Sequence, residues 1–330
     1  MDSLQEFPFT LDWEIEAMNN IKLVVASALF FFIGCNETNE LIENVKLTVA
    51  NLPALKETEG HYQIWVSFTT FAKVGANASP QHDSGFVSLG EFNVDANGLA
   101  VGRDGNPARI KLPEGRNLQL LSDVVITVQR NGQNQDRGPA IIGGRFRGDA
   151  SRAIATLDMS YADAFGSDFA AVSGKYAIMA PTSPADSNSG VWFVDRTSGL
   201  VPGLLNLSPL REWTYEGWVV DRLDPDHPRY YSTGKFLRAN IADFDSAGSG
   251  RGSGAGLNFP GQDFINGVPS KPDLTLSRYS FMITVEPSPD NSPDPFFLQL
   301  LTSVSPSPAA STLYNVIQTH APQATVTIAR

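Results

Sequence analysis

The chain has one cysteine and four histidines in 330 residues, and only 18% of its residues are charged. A lone Cys excludes a disulfide framework and a Cys-built zinc site. The histidines, His61, His82, His227 and His320, include no pair three to five residues apart, so no zinc-type His pair is written in the sequence. A Gly-x-Ser-x-Gly elbow, a phosphate-cradling Gly loop and a dinucleotide fingerprint are also missing. Bases are scarce, with 24 Lys and Arg against 35 Asp and Glu for a net charge of −11, which argues against a nucleic-acid partner. With 42% hydrophobic residues and no apolar run of membrane-spanning length, the chain is neither a disordered tail nor a multi-span membrane protein.

The apolar run that does exist carries an address. Met18-Asn19-Asn20-Ile21-Lys22 reads as a short basic n-region, and Leu23 to Ile33 is an uncharged run of eleven residues. As a helix it would rise about 16 Å, half the hydrocarbon thickness, which suits a signal-peptide core and not a membrane span. The run ends in Phe32-Ile33-Gly34-Cys35, which resembles the lipobox of bacterial lipoproteins. There a small residue precedes a Cys whose thiol takes a diacylglyceryl group and becomes the mature N-terminus; Phe32 stands where Leu is usual. Five acids and no base lie before Met18, the wrong sign for an n-region, so translation is expected to start at Met18. The expectation is therefore a mis-assigned start over 1–17, a lipoprotein signal peptide over 18–35 and a tether over 36–40. Membrane lipid is then a partner through acylated Cys35. The protein would be anchored in a bacterial cell envelope outside the cytoplasm, at the outer membrane of a Gram-negative cell because Asn36 and not Asp follows the Cys. The alternative for the run is a buried core helix with an ordinary apolar Cys.

The rest of the chain repeats itself. Asn51-Leu52-Pro53-Ala54-Leu55 and Tyr62-Gln63-Ile64-Trp65-Val66 answer Asn206-Leu207-Ser208-Pro209-Leu210 and Tyr215-Glu216-Gly217-Trp218-Val219. Ser88-Leu89-Gly90-Glu91-Phe92 answers Ser232-Thr233-Gly234-Lys235-Phe236, and Ile126-Thr127-Val128-Gln129 answers Ile283-Thr284-Val285-Glu286. The offsets of 153, 144 and 157 residues differ as surface insertions between fixed strands would make them differ. The blocks are short, rich in β-branched and aromatic residues, and bounded by Gly, Pro, Asn and Asp, which marks strands. Alternation puts Tyr62, Ile64 and Val66 on one face and Trp65 on the other. The fold class expected is all-β: two tandem β-sandwich-like (immunoglobulin-like) domains related by internal duplication, over 41–168 and 169–330. Tyr62, Trp65, Phe92, Tyr215, Trp218 and Phe236 are its core markers. The nearest thing to a helix past residue 40 is Ala150 to Phe169. Ser246 to Gly256, Pro287 to Pro295 and Ser305 to Ala310 read as loops.

Chemistry is sparse. His61 beside a core strand is expected to be structural, and the pairs His82-Asp83 and Asp226-His227 to be solvated. Asp243 and Asp245 faintly resemble a calcium loop, but the later acids and the register are missing, so a solvated loop is favoured. A carboxylate pair for glycoside hydrolysis is spatial and not sequential, and nothing nominates one. Trp213, in the loop before a strand, fits a surface or lid role as well as it fits packing. No catalytic, cofactor or metal residue is assigned, and no enzyme activity is expected.

The order Asn-Leu-Pro-x-Leu, Tyr-x-x-Trp-Val, Ser-x-Gly-x-Phe, Ile-Thr-Val-Glu-Pro, then a Pro-rich turn, is similar to the extracytoplasmic C-terminal domain of anti-sigma-K factors. The second copy matches better, through Trp218-Val219-Val220, Thr233-Gly234-Lys235-Phe236 and Ile283-Thr284-Val285-Glu286-Pro287; the first departs at Gln129-Arg130. The resemblance implies a β fold and an exported body. The sigma-binding helical domain of that family has no room in the residues before Met18. The function expected is a non-catalytic, membrane-anchored module that binds an envelope protein or glycan. The alternatives are a component of an envelope sensing or anti-sigma system and a structural surface-coat protein.

Overall fold

In a computed structural model, which describes residues 44–71, 80–82, 85–130, 137–197, 199–244, 257–290, 292–304 and 312–329, the chain is nearly all β. Cys35, its neighbours Phe32, Ile33 and Gly34, Asp245 and the tract 246–256 lie outside the described residues. Three main sheets, of four, six and seven strands, are built chiefly from β1 (Asn44–Ala50), β2 (His61–Phe71), β3 (Val87–Val94), β4 (Leu121–Gln129), β5 (Ala140–Arg145), β6 (Arg152–Leu157), β7 (Ser173–Lys175), β8 (Leu204–Leu205), β9 (Trp213–Asp221), β10 (Arg229–Phe236), β11 (Tyr279–Pro287), β12 (Gln299–Thr302), β13 (Thr312–Asn315) and β14 (Gln323–Ala329), with the short strands 80–82, 100–101 and 147–148 at their edges. A small sheet of 177–178, 190–192 and 261–263 flanks them. Among the described residues the helical elements are three 3-10 segments, Leu118–Leu120, Pro184–Ser189 and Ile317–Thr319, and no helix is long and apolar enough to cross a membrane.

The two halves carry the same strand order. In the second it is β8-β7-β13-β12-β11-β9-β10. In the first it is β1-β14-β6, then β5-β4-β2-β3, the two runs joined where Gly143 and Asp158 exchange backbone hydrogen bonds of 3.0 Å. The repeated sequence blocks make the same contacts in both. Tyr62 stacks on Phe92 at 5.4 Å and Tyr215 on Phe236 at 5.7 Å, and each hydroxyl donates to a backbone carbonyl, that of Pro53 or Ser208. Trp65 Nε1 donates to Thr127 Oγ1 at 3.0 Å, and Trp218 Nε1 to Thr284 Oγ1 at 2.8 Å. The Ser-x-Gly-x-Phe block has a mechanical reason. The register shifts between Ile64 and Trp65 and between Gly217 and Trp218, so Leu89 and Thr233 are the extra residues of a bulge. The Gly that follows, Gly90 or Gly234, takes φ +145° or +111°, where a side chain is strained.

Tyr62, Ile64, Val66 and Phe68 face one continuous core shared with Tyr215, Val219, Phe281 and Ile283, whereas Trp65 and Trp218 lie on the opposite faces of their sheets. All six core markers are buried. Residues 42–330 form one compact unit, and the shared core runs from Leu52 to Ile328. Strand β14, placed by the tandem scheme in the second copy, pairs with β1 and β6 of the first. The stretch Ala150 to Phe169 is not helical: its first part is β6, whose alternation buries Ala153, Ala155 and Leu157, and turns follow.

Candidate functional site

Period-two alternation places Glu216 on the same face of β9 as Trp218, away from the main core. Its cross-strand partners are Lys235 on β10 and Thr284 on β11. Glu286, two residues beyond Thr284, falls on that same face. Four ionisable groups therefore converge. Lys235 Nζ lies 3.2 Å from Glu216 Oε2 and 3.8 Å from Asp290 Oδ2, in the turn after β11. Ser232 Oγ donates to Glu216 Oε1, and Thr284 Oγ1 to Glu286 Oε1. The backbone N of Phe296 donates to both Glu286 oxygens, at 3.0 and 3.1 Å. Glu216 and Glu286 are 1% and 0% exposed. Burial pushes the Glu286 carboxyl up to about 8, against the lowering by the Thr284 and Phe296 hydrogen bonds, and the Glu216 and Asp290 charges push the same way as burial. Glu286 thus keeps its proton at neutral pH.

Among the described residues, Glu216, Glu286 and Asp290 are the group of three metal-type side chains close enough to share an ion. The Lys235 ammonium occupies the cation position between Glu216 and Asp290, and Glu286 is neutral. The cluster is held by an internal ion pair.

The first half presents a different chemistry at the matching places. Gln63 replaces Glu216 and donates from Nε2 to Ser88 Oγ at 2.7 Å, and a buried Gln129 replaces Glu286. Glu91 replaces Lys235 and faces Arg103 Nη2 at 3.1 Å and His61 Nε2 at 3.5 Å. Amides stand where the second half has carboxyls, and an acid stands where it has a base.

Between these two patches lies a cleft of about 430 Å3, where the end of β4 and Gly138-Pro139 approach the end of β11 and the Pro-rich turn. The carboxylates of Glu57, Glu59, Asp290 and Asp294 line it beside the protonated Glu286, against one guanidinium, Arg130. Beside it Lys56 Nζ crosses to Asp294 Oδ2 at 2.8 Å. A site at a junction of two folded halves, rich in carboxylates, suits a cationic ligand.

The residues weighed in the sequence fall as follows. Trp213 packs: it is 2% exposed, its ring lies 4.9 Å from Phe165 and 5.9 Å from Phe296, and its Nε1 donates to Ala140 O at 3.1 Å. His61 is 3% exposed, with Arg103 Nη2 3.0 Å from its Nδ1. His227 is exposed and faces Asp224, at 3.2 Å, as its acid partner. His320 lies 2.6 Å from Thr319 Oγ1, and the side chain of His82 lies outside the described residues. Asp243, expected on a solvated loop, is buried, because its Oδ2 accepts from Gly261 N at 3.2 Å and its carboxylate packs against the Cβ-less face of Gly234. The Glu216–Lys235–Glu286–Asp290 cluster was missed by sequence reasoning. Alternation from Trp218 would have found Glu216, but nothing local places Asp290 beside it. No known protein family, no curated protein and no solved structure matches this chain.

Proposed function

We propose that this chain is an exported lipoprotein, anchored through acylated Cys35, whose β body is a non-catalytic binding module of the bacterial cell envelope. Its two copies derive from duplication of a unit similar to the extracytoplasmic domain of anti-sigma-K factors. The duplication is supported by the matching strand orders and by the repeated Trp–Thr, Tyr–Phe and Ser–Gln or Ser–Glu contacts. Those contacts also give the residues behind the resemblance a role in holding the sheets. The carboxylate-lined cleft at the junction of the copies carries the binding half of the reading. A cationic group of an envelope protein or glycan enters there, and one acyl chain would hold the module only marginally, so two or more chains are required at the anchor.

Two measurements test this. Radiolabelled palmitate is expected to enter the wild-type chain and not Cys35→Ser; equal labelling of both refutes the anchor. The melting temperature of the body is expected to rise with spermidine and lysine ethyl ester and not with citrate. Glu57→Gln with Glu59→Gln should abolish that rise; a response unchanged in the double variant refutes the cleft as the binding place.

A further inference from the structure

Each copy has one slot that is filled from elsewhere in the chain. In the second copy β7 lies between β8 and β13, and in the first β14 lies between β1 and β6. The two fillers occupy equivalent places. Each follows the last strand of the other copy: β7 comes after β6 through 158–172, and β14 after β13 through 316–322. Each is fastened by the same device. Asn51, at φ +58°, donates from Nδ2 to the carbonyl of Ala321, two residues ahead of β14; Asn206, at φ +59°, donates to Ala171, two residues ahead of β7. Strand β14 therefore crosses into the first half, whereas β7 lies within the 169–330 expected for the second.

The two fillers are unequal. Strand β7 pairs over two positions on each side. Strand β14 pairs over seven positions with β1 and six with β6, and it buries Ala324, Val326 and Ile328 in the core. Among the described residues β14 is the only strand neighbour that β1 has. Without β14, β1 loses its whole ladder, and the apolar faces of Val45, Leu47 and Val49 lose their closing neighbour. Closing this part of the sheet brings together residues about 280 apart, the largest separation among the described strand pairings, and such non-local pairing is slow.

We infer that β14 is a donor strand on which the first copy depends, so that the second copy, whose filler precedes it in the chain, is completed first and the first copy last. Folding then runs against the direction of synthesis. For a chain exported as proposed above, the N-terminal half stays without its finished sheet until residues 323–329 have emerged. The inference itself rests on strand pairing and does not require the export reading.

The test uses the full chain and hydrogen exchange read by mass spectrometry. In Val326→Asp with Ile328→Asp, amides of β1 and β6 are expected to lose protection by about 100-fold or more, while β9 and β11 keep theirs. A synthetic peptide of residues 321–329 added in trans should restore β1 and β6. Thr325→Asp, on the exposed face of β14, should change neither. Retained protection in the double variant, or no rescue by the peptide, overturns the donor role. Pulse labelling during refolding of the wild-type chain gives an answer that does not depend on a variant folding. Protection of β9 and β11 should precede that of β1 and β6, and the reverse order overturns the inference.

Discussion

Replacing Glu286 by Gln isolates the cost of a buried carboxyl. The side chain is fully buried, and burial raises its carboxyl from 4.5 to about 8. In the unfolded chain the group ionises near its ordinary value, so between these two pH values the folded state holds a proton that the unfolded state has released. Stability is therefore highest below about 4.5 and falls as pH rises to about 8, after which the difference is constant. A shift of that size corresponds to a ceiling of about 5 kcal/mol, at about 1.4 kcal/mol per unit. Gln has no such proton, and it fits: the first half buries Gln129 at the matching place in its own strand. One side-chain oxygen remains to accept from Phe296 N. Urea denaturation of both proteins at pH 5, 6, 7 and 8 reads the effect as a difference, which cancels the titration of groups distant from Glu286. The variant is expected to gain on the wild type steadily with pH and to be the more stable of the two at pH 8. A difference that stays constant to within about 1 kcal/mol from pH 5 to pH 8 would refute the reasoning, since one pKa unit is worth more than that.

Two further outcomes follow, the first from a contact that occurs in both halves. Trp65→Phe and Trp218→Phe should each cost about 1–3 kcal/mol by leaving the Thr127 or Thr284 hydroxyl without its donor. Urea midpoints should show similar losses, and a neutral result in either copy would break the equivalence. Gly234→Ala should cost about 2 kcal/mol or more, because the backbone sits at φ +111° and an added Cβ would meet Asp243 Oδ1 at 2.3 Å. Gly98→Ala, at φ +78° with no atom within 4 Å of the new Cβ, serves as the control for strain alone; equal drops in melting temperature would show that the approach to Asp243 contributes nothing.

The long strands were legible because their signals are local. Tyr62 to Val66 and Tyr215 to Val219 alternate, and turn residues bound them, so strand identity and the opposed face of Trp65 follow from period two. The short strands were not legible. A strand of two or three residues, such as β7 or β8, has no period to detect, and Ala150 to Phe169 mixed a six-residue strand with turns so that neither pattern dominated. The site divides in the same way. The face of Glu216 is a local fact, whereas the proton on Glu286 depends on how completely the sheet and the Pro-rich turn exclude water.

Composition, alternation and the repeated blocks by themselves determined an all-β chain in which one set of strand-building residues occurs twice, because side-chain period and turn chemistry act over a few neighbouring residues. Tertiary structure alone decided that β14 completes the sheet of the first half, that Asp243 is buried, and that Lys235 stands among three carboxyls. Each of those results depends on which distant segments compete for the same hydrogen bonds and the same dry space, and that competition is settled only when the whole chain packs.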